Sequence, residues 1–271
     1  MTALKKLAVI GDPIDHSLSP KIHKIFAESS GLAISYEAIQ VEKKDFRSAV
    51  TSLFDSGYAG LNVTLPFKED AFNYANKLSE ESKLSGSVNT LWKEDSFICA
   101  DTTDGRGLVK DLISKNISLS NLEIVILGAG GSARAIIPSL LKEKPGSITI
   151  ANRTFSKAEQ LAVKFTLSDN QLKVVSTSQP LDCSPDLVIN TTSAGVLNQE
   201  MELPSNIFSQ STCVYDLSYS REETSFIIRA KNSGSNVCYD GLGMLIQQAA
   251  LSFEIWTNHK PETNINKAAL L

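Results

Sequence analysis

Cysteine and histidine are scarce and scattered in this chain. Cys99, Cys183, Cys213 and Cys238 form no Cys-x-x-Cys pair, and His16, His23 and His259 are the only histidines beside them. That argues against a disulfide framework and against a zinc site, so reduced thiols, no bound metal and a cytoplasmic setting are expected. No uncharged apolar run of about 18 residues is present, and no membrane span is expected. The opening MTALKKLAVIGDP lacks the longer apolar core and small-residue cleavage site of a signal peptide. Positive charge is not in excess either. A net charge of -4 argues against nucleic acid as the main partner, although a locally basic pocket for one small anion stays open.

With 271 residues the chain is long enough for about two domains. Short apolar, often β-branched runs alternate with segments of helical period, which predicts α/β architecture with parallel sheets. The runs LAVIG (7–11), YEAIQV (36–41) and GLNVTL (60–65) read as strands. A helix is predicted from Pro20, with Ile22, Ile25, Phe26 and Ser29 on one face, another at DFRSAVTSLF (45–54), and a third opening at Pro66 with Phe67, Ala71, Phe72, Ala75 and Leu78 inward. VNTLWK (88–93) and SFICAD (96–101) read as a strand pair, and GLVKDLISKN (107–116) as a connecting helix. A second series follows: strands at 124–127, 147–152, 173–176, 187–192 and 213–219, with helices near 132–142 and 156–166. A last helix, MLIQQAALSFEIW (244–256), turns Leu245, Ile246, Ala249, Phe253 and Trp256 to one side.

The clearest absence lies in that second series. Gly128-Ala129-Gly130-Gly131-Ser132 follows a strand and opens a helix, the context in which glycines let a pyrophosphate approach the backbone and a helix N-terminus. Pro138 should bend that helix. About 20 residues on, an NAD site would carry an Asp or Glu for the ribose hydroxyl. Here the strand SITIAN ends instead on Asn152, then Arg153, Thr154 and, further on, Lys157. An acid would repel a 2′-phosphate, whereas the Arg fork and the Lys charge suit one, so the predicted cofactor is NADP(H).

Three polar clusters fall at ends of predicted strands in the first series, where open α/β sheets bind ligands. Each also has a plain structural reading. In His16-Ser17-Leu18-Ser19-Pro20, Ser19 reads as an N-cap and Pro20 as the first helical residue, a geometry that also suits a carboxylate. In Asn62-Val63-Thr64-Leu65-Pro66-Phe67-Lys68, Lys68 reads as a solvated charge early in a helix. In Thr102-Thr103-Asp104-Gly105, Asp104 reads as a cap.

Taken together, HSLSP, NVTLPFKE, SVNTLW, TTDGRG, GAGGSARA, ANRTFSKAEQLA and GLGMLIQQAA resemble the shikimate dehydrogenase family in order and spacing, from about Gly11 to Trp256. The resemblance implies NADPH-dependent, reversible reduction of 3-dehydroshikimate to shikimate in aromatic amino acid (chorismate) biosynthesis. It implies a substrate-binding domain at 1–104 plus 244–271 and a Rossmann-type NADP domain at 105–243, with the final helix returning to the first domain. Position by position, it implies a catalytic pair, Lys68 and Asp104, with Lys68 exchanging the proton of the reacting oxygen. Ser17 and Ser19 match carboxylate-binding hydroxyls, with Tyr219 nearby, and Thr64, Asn89 and Gln248 match ligands of ring hydroxyls. Gly128, Ala129, Gly130, Gly131 and Ser132 match the pyrophosphate turn, and Asn152, Arg153, Thr154 and Lys157 the adenosine-phosphate contacts. Leu217 and Gly241 fall at nicotinamide-lining positions, and Glu80 at a weaker cofactor-side position.

Three departures stand out: Thr102 where the family usually has Asn, Lys157 where Arg is common, and YDLSY for the more usual Tyr-Asp-Met-x-Tyr. The rival readings are a dual-specificity quinate/shikimate dehydrogenase that also uses NAD, and a non-catalytic sensor of shikimate or NADP. A methylenetetrahydrofolate dehydrogenase would not explain HSLSP together with NVTLPFK. A small-molecule partner is expected, in a monomer or a homodimer.

Overall fold

The structure, a computed structural model, describes residues 4–165, 172–192, 202–210 and 212–271. The chain divides into two compact units, residues 1–108 with 245–271, and residues 109–244. Among the described residues, no helix is long and apolar enough to cross a membrane.

The first unit is built on β1 (Lys5–Gly11), α1 (Ser19–Ser30), β2 (Ile34–Gln40), α2 (Phe46–Asp55), β3 (Tyr58–Val63), α3 (Lys68–Tyr74), β4 (Lys77–Leu78), α4 (Glu80–Ser85), β5 (Thr90–Glu94) and β6 (Phe97–Asp101). The strands form one six-stranded sheet in the order β2-β1-β3-β5-β6-β4. β5 alone runs against its neighbours; every other pairing in the sheet is parallel. Parallel central strands are covered on both faces, which is why β1 is an unbroken buried run from Leu7 to Gly11. One face is covered by Phe46, Val50 and Phe54 of α2 with Phe67 and Ala71 around the start of α3. Phe72, Ala75 and Leu78 pack at the margin of that cluster.

α5 (Asp104–Ser114) begins in the first unit and ends in the second, which continues through β7 (Glu123–Leu127), α6 (Gly131–Lys142), β8 (Ser147–Asn152), α7 (Phe155–Val163), β9 (Leu172–Ser176), β10 (Leu187–Asn190), β11 (Cys213–Asp216), α8 (Ser225–Asn232) and β12 (Val237–Tyr239). Its sheet is wholly parallel, in the order β12-β11-β10-β7-β8-β9. Pro138 lies inside α6, where it has no N–H to add to the helical ladder. α9 (Leu242–Thr257) then carries the chain back, and its residues from Leu245 onward belong to the first unit; a short α10 (Lys267–Leu270) follows.

Several expectations need correction. Ser19 is not the N-cap of α1: Leu18 holds that position, and the Ser19 N–H donates to Ser17 Oγ at 3.3 Å, a local hydroxyl turn that competes with capping. α3 begins at Lys68, and Leu78 sits on the short strand β4 rather than on that helix. α5 starts at Asp104, three residues ahead of the Gly107 expected. Ser29 is exposed, and His23 is buried on α1 together with Ser19, Ile22, Phe26 and Ala27. The helix read to 166 ends at Val163, and position 166 lies outside the described residues.

His23 is fully buried, stacked on Tyr36 with ring centroids 4.0 Å apart and planes within 6°. Phe26, Phe253 and Trp256 close the cluster around it. Neither ring nitrogen has a hydrogen-bond partner in the structure. Burial pushes its pKa from the ordinary 6.5 down to about 3, and the nearby Asn62 side chain opposes this only in part. Because the folded-state value lies below the unfolded one, protonation favours the unfolded chain. Stability from this residue is intact above about pH 6.5 and is lost as pH falls toward 3, by roughly 1.4 kcal/mol per unit. Denaturant unfolding between pH 7 and pH 4.5 should show the wild type losing roughly 2–3 kcal/mol more than His23→Phe. Parallel pH profiles for the two proteins would overturn this account.

Candidate active site

Loops at one edge of the first sheet carry most of the polar residues singled out in the sequence. β1, β3 and β6 all end there, and β5, running the opposite way, begins there. Thr64 follows β3, and its N–H donates to the Ile10 carbonyl of β1 at 3.0 Å. Asn89 precedes β5; its N–H donates to Asp101 O at 3.1 Å and its carbonyl accepts from Val63 N–H at 2.8 Å. Backbone pairing therefore aligns residues from three distant stretches of sequence. Lys68 opens α3 and Asp104 opens α5.

The Lys68 Nζ lies 2.6 Å from Asp104 Oδ2, with the two side chains 16% and 8% exposed. The second Asp104 oxygen, Oδ1, accepts from Asn89 Nδ2 at 3.0 Å. The Asn89 amide has one allowed orientation. Its oxygen accepts from the Thr103 backbone N–H at 2.9 Å, a group that can only donate, while its nitrogen faces a carboxylate that can only accept. The same nitrogen reaches Gln248 Oε1 at 3.1 Å, and Gln248 Nε2 donates to Leu245 O at 2.9 Å. Lys68, Asp104, Asn89 and Gln248 thus form one hydrogen-bonded group.

Beneath it lies a second layer. Asn62 donates to Asn89 O at 3.0 Å and to Ser252 Oγ at 3.0 Å, and accepts from the Tyr36 hydroxyl at 2.7 Å. Burial raises the Tyr36 pKa well above the ordinary phenol range, with a hydrogen bond involving Ser19 opposing it, so the phenol remains a donor. Ser19 is buried; Ser17 and Thr64 are partly exposed at the same sheet edge. Thr102 is fully buried, and its Oγ1 has no hydrogen-bond partner in the structure.

In the second unit, Gly128 follows β7 with φ of +102°, and a Cβ there would lie 2.8 Å from Thr191 Oγ1. Glycine is required on both counts. Gly130 caps α6 without a side-chain acceptor, and a Cβ on Gly130 or Gly131 would meet nothing within 4 Å among the described residues. Ala129 and Ser132, also of this turn, are partly exposed. The turn is open to an incoming group at the amino end of a helix, where N–H donors favour an anion. Arg153, Thr154 and Lys157 are exposed after β8. Asn152 turns its Nδ2 onto Thr154 O at 2.8 Å and so shapes the loop that presents Arg153. Leu217 follows β11 and Gly241 follows β12, and the Gly241 N–H donates at 3.0 Å to the carbonyl of Ser218, the residue after Leu217. These residues and the glycine turn all sit at carboxyl ends of strands of one sheet. The donor set fits NADP: an open glycine turn for a pyrophosphate, and cations without an acid where a ribose phosphate would lie.

Two expected site residues belong to the other unit from most of their group. Tyr219, expected near the substrate, belongs to the second unit, after β11; Glu80, expected on the cofactor side, is exposed at the start of α4 in the first unit. Sequence reasoning quoted Asn62 and Thr103 without giving them roles, and missed Tyr36, Thr90 and Ser252. The available signal was Ser252 standing one helical turn beyond Gln248, on the same face of a mainly apolar helix.

Counted from β7, the second sheet has the strand order 3-2-1-4-5-6 of the doubly wound dinucleotide-binding fold, with the glycine turn where the order reverses. The class is therefore that of two-unit α/β dinucleotide-dependent dehydrogenases. Residues 9–91 match the shikimate dehydrogenase substrate binding domain, residues 110–225 the shikimate / quinate 5-dehydrogenase family, and residues 241–271 the shikimate 5'-dehydrogenase C-terminal domain. The shikimate dehydrogenase (NADP(+)) of Hahella chejuensis is 42% identical over 257 residues, covering 94% of each chain. Among solved structures, a shikimate dehydrogenase in complex with NADP+ is 32% identical with a TM-score of 0.91, covering 100% of this chain and 96% of that one. The Thermus thermophilus enzyme in complex with NADP(H) and shikimate is 30% identical with a TM-score of 0.86, covering 98% and 97%. The chain belongs to the shikimate dehydrogenase family.

Removing either partner of the Lys68–Asp104 pair leaves the other charge in a largely desolvated place. Lys68→Met, Asp104→Leu and the double variant, compared by denaturant unfolding, should give a coupling energy of about 1–3 kcal/mol. Additive losses would show that the 2.6 Å contact contributes nothing to folding.

Proposed function

We propose that this chain is an NADP-dependent shikimate dehydrogenase, reducing 3-dehydroshikimate to shikimate reversibly in the cytoplasm for aromatic amino acid biosynthesis. The observation that carries the reading is the Lys68–Asp104 pair, locked by Asn89 and Gln248 at the carboxyl edge of the first sheet. Residues 1–104 with 244–271 act as the substrate domain, and 105–243 as the NADP domain. All assigned residues come from one chain, so the reading holds for a monomer or a homodimer.

Lys68 supplies the proton chemistry. As carbonyl becomes hydroxyl, charge develops on the substrate oxygen, and the ammonium donates a proton to it; in the reverse direction the amine takes that proton. General acid–base assistance of this kind is worth roughly 10²–10⁴-fold. Asp104 orients the ammonium and accepts from a substrate hydroxyl. Thr64, Asn89 and Gln248 bind ring hydroxyls, and Ser17, Ser19 and Tyr219 bind the carboxylate. A site that pairs each hydroxyl with a buried polar group rejects analogues lacking one, because the partner would be left unsatisfied. Bound NADPH supplies the hydride. Gly128 to Ser132 receive its pyrophosphate, and Asn152, Arg153, Thr154 and Lys157 its adenosine phosphate. Leu217 and Gly241 border the nicotinamide, and Glu80 makes a weaker contact.

NADPH formation with purified protein, shikimate or quinate, and NADP or NAD tests this directly. Turnover is expected with shikimate and NADP; none with any pair would defeat the reading. Lys68→Ala should lower kcat by roughly 10²–10⁴-fold with a modest change in KM, and near-normal turnover would remove Lys68 from the reaction. Arg153→Ala should raise the KM for NADP by about tenfold or more while leaving that for NAD nearly unchanged. An equal effect on both cofactors would show that Arg153 does not read the 2′-phosphate.

A further inference from the structure

Two hydroxyl groups below the Lys68–Asp104 site have no role in the assignment above. Thr90 follows Asn89 at the start of β5, and Ser252 stands one turn beyond Gln248 on α9. Both are fully buried, and their oxygens are 2.8 Å apart. Each touches a residue of the site: Thr90 Oγ1 lies 2.9 Å from Asn89 Oδ1, and Ser252 Oγ lies 3.1 Å from Gln248 O.

Counting protons limits how this pair can be arranged. The Asn62 oxygen accepts from Tyr36, so its NH2 group faces, and donates toward, Ser252 at 3.0 Å and Thr90 at 3.3 Å. The two hydroxyls then hold one hydrogen each. If Thr90 donated to Asn89 while Ser252 donated to Gln248, no hydrogen would lie between the two oxygens. One hydroxyl therefore points at the other. Either Ser252 donates to Thr90 and Thr90 to Asn89, or Thr90 donates to Ser252 and Ser252 to the Gln248 carbonyl at 3.1 Å or the Thr103 hydroxyl at 3.4 Å. Each arrangement forms a continuous chain from a donor that cannot reverse, the Asn62 amide, either to Asn89, which holds Asp104, or to Gln248 or Thr103, whose side chains accept from the Asn89 nitrogen.

We propose that Thr90 and Ser252 are positioning residues: a buried hydroxyl pair that couples strand β5 to helix α9 and holds Asn89 and Gln248 in one register. The proposal rests on the dehydrogenase reading for its kinetic consequence but not for its structural one. Removing a hydroxyl takes away one of the contacts that hold Asn89 and Gln248 in place, and a shift of even part of about 1 Å costs roughly ten- to a hundredfold in a reaction that depends on alignment.

Thr90→Val keeps the shape and removes the hydroxyl, Ser252→Ala removes the other, and Thr90→Ser restores a hydroxyl at position 90. Steady-state kinetics with shikimate and NADP should show kcat/KM for shikimate falling by about tenfold or more in Thr90→Val and Ser252→Ala. The KM for NADP should be unchanged, and Thr90→Ser should regain most of the loss. A general loss of folding would alter both substrates alike and would not be rescued so simply. Nitrogen-15 NMR of the side-chain amides in the unliganded protein provides a readout independent of turnover. The Asn89 and Gln248 NH2 signals, identified by their loss in Asn89→Ala and Gln248→Ala, should move in Thr90→Val and return in Thr90→Ser. Unmoved signals in Thr90→Val overturn the proposal whether or not the wild type oxidises shikimate. Moved signals with wild-type kinetics overturn its catalytic part. A wild type without turnover defeats the dehydrogenase reading alone.

Discussion

The Asn89 amide is the constraint from which the first unit's site follows. It is buried between a backbone N–H and a carboxylate, so its two ends cannot exchange without placing donor against donor and acceptor against acceptor. A buried polar group left unsatisfied costs about 1–3 kcal/mol, and the cost falls on every member of a network that loses one partner. Asp104 is therefore fixed on one side by Asn89 and on the other by Lys68, and Gln248 is fixed by the same nitrogen. The interaction also ties α9 into the first unit, where Trp256 Nε1 donates to Leu91 O at 3.1 Å and Ser252 meets Asn62.

Sheet direction explains why such distant residues meet. In a parallel sheet every strand ends at the same edge, and the loops leaving that edge converge. The second unit follows the rule, with the glycine turn, the turn at Arg153 and Thr154 that leads into α7, Leu217 and Gly241 following β7, β8, β11 and β12. The first unit obeys it with one inversion. Because β5 is antiparallel, its beginning rather than its end lies at the ligand edge, and this brings Asn89 level with Thr64 and Asp101. A parallel β5 would carry Asn89 to the far side of the sheet.

The long central strands were legible because parallel strands read as unbroken apolar runs, as in LAVIG and IVIL. What was missed is mostly short: β4 has two residues, β12 three, α10 four and α4 six, too few to set up a period, and the eight-residue α8 was missed as well. Ser19 was misread because Ser and Pro before an apolar face are a capping signature, and the competing Ser17 turn depends on a local geometry that sequence does not reveal. Lys68 and Asp104 were legible through motif resemblance, but their partnership with Asn89 and Gln248 is a tertiary fact. Thr90 and Ser252 were silent for a related reason. A hydroxyl in an apolar strand or helix is ordinary, and only the 2.8 Å approach of one to the other gives it meaning.

Thr102, where the family usually has Asn, shows which part of the loop bears the constraint. Its side-chain oxygen has no partner, yet its backbone is held at both ends: the N–H donates to Asp101 Oδ1 at 2.8 Å, and the carbonyl accepts from Arg106 at 3.2 Å. Arg106 is also paired with Asp101, whose other oxygen accepts from Ser79 at 2.5 Å. Ser79 in turn caps α4 by accepting from the Ser82 N–H. The path from α4 to Asp104 thus runs through Asp101, Arg106 and the peptide groups of residue 102, not through its side chain. The Thr hydroxyl adds a buried, unsatisfied oxygen, which is a cost in stability. It does not remove any bond that orients Asp104, so the departure at 102 leaves the geometry of the Lys68 pair intact.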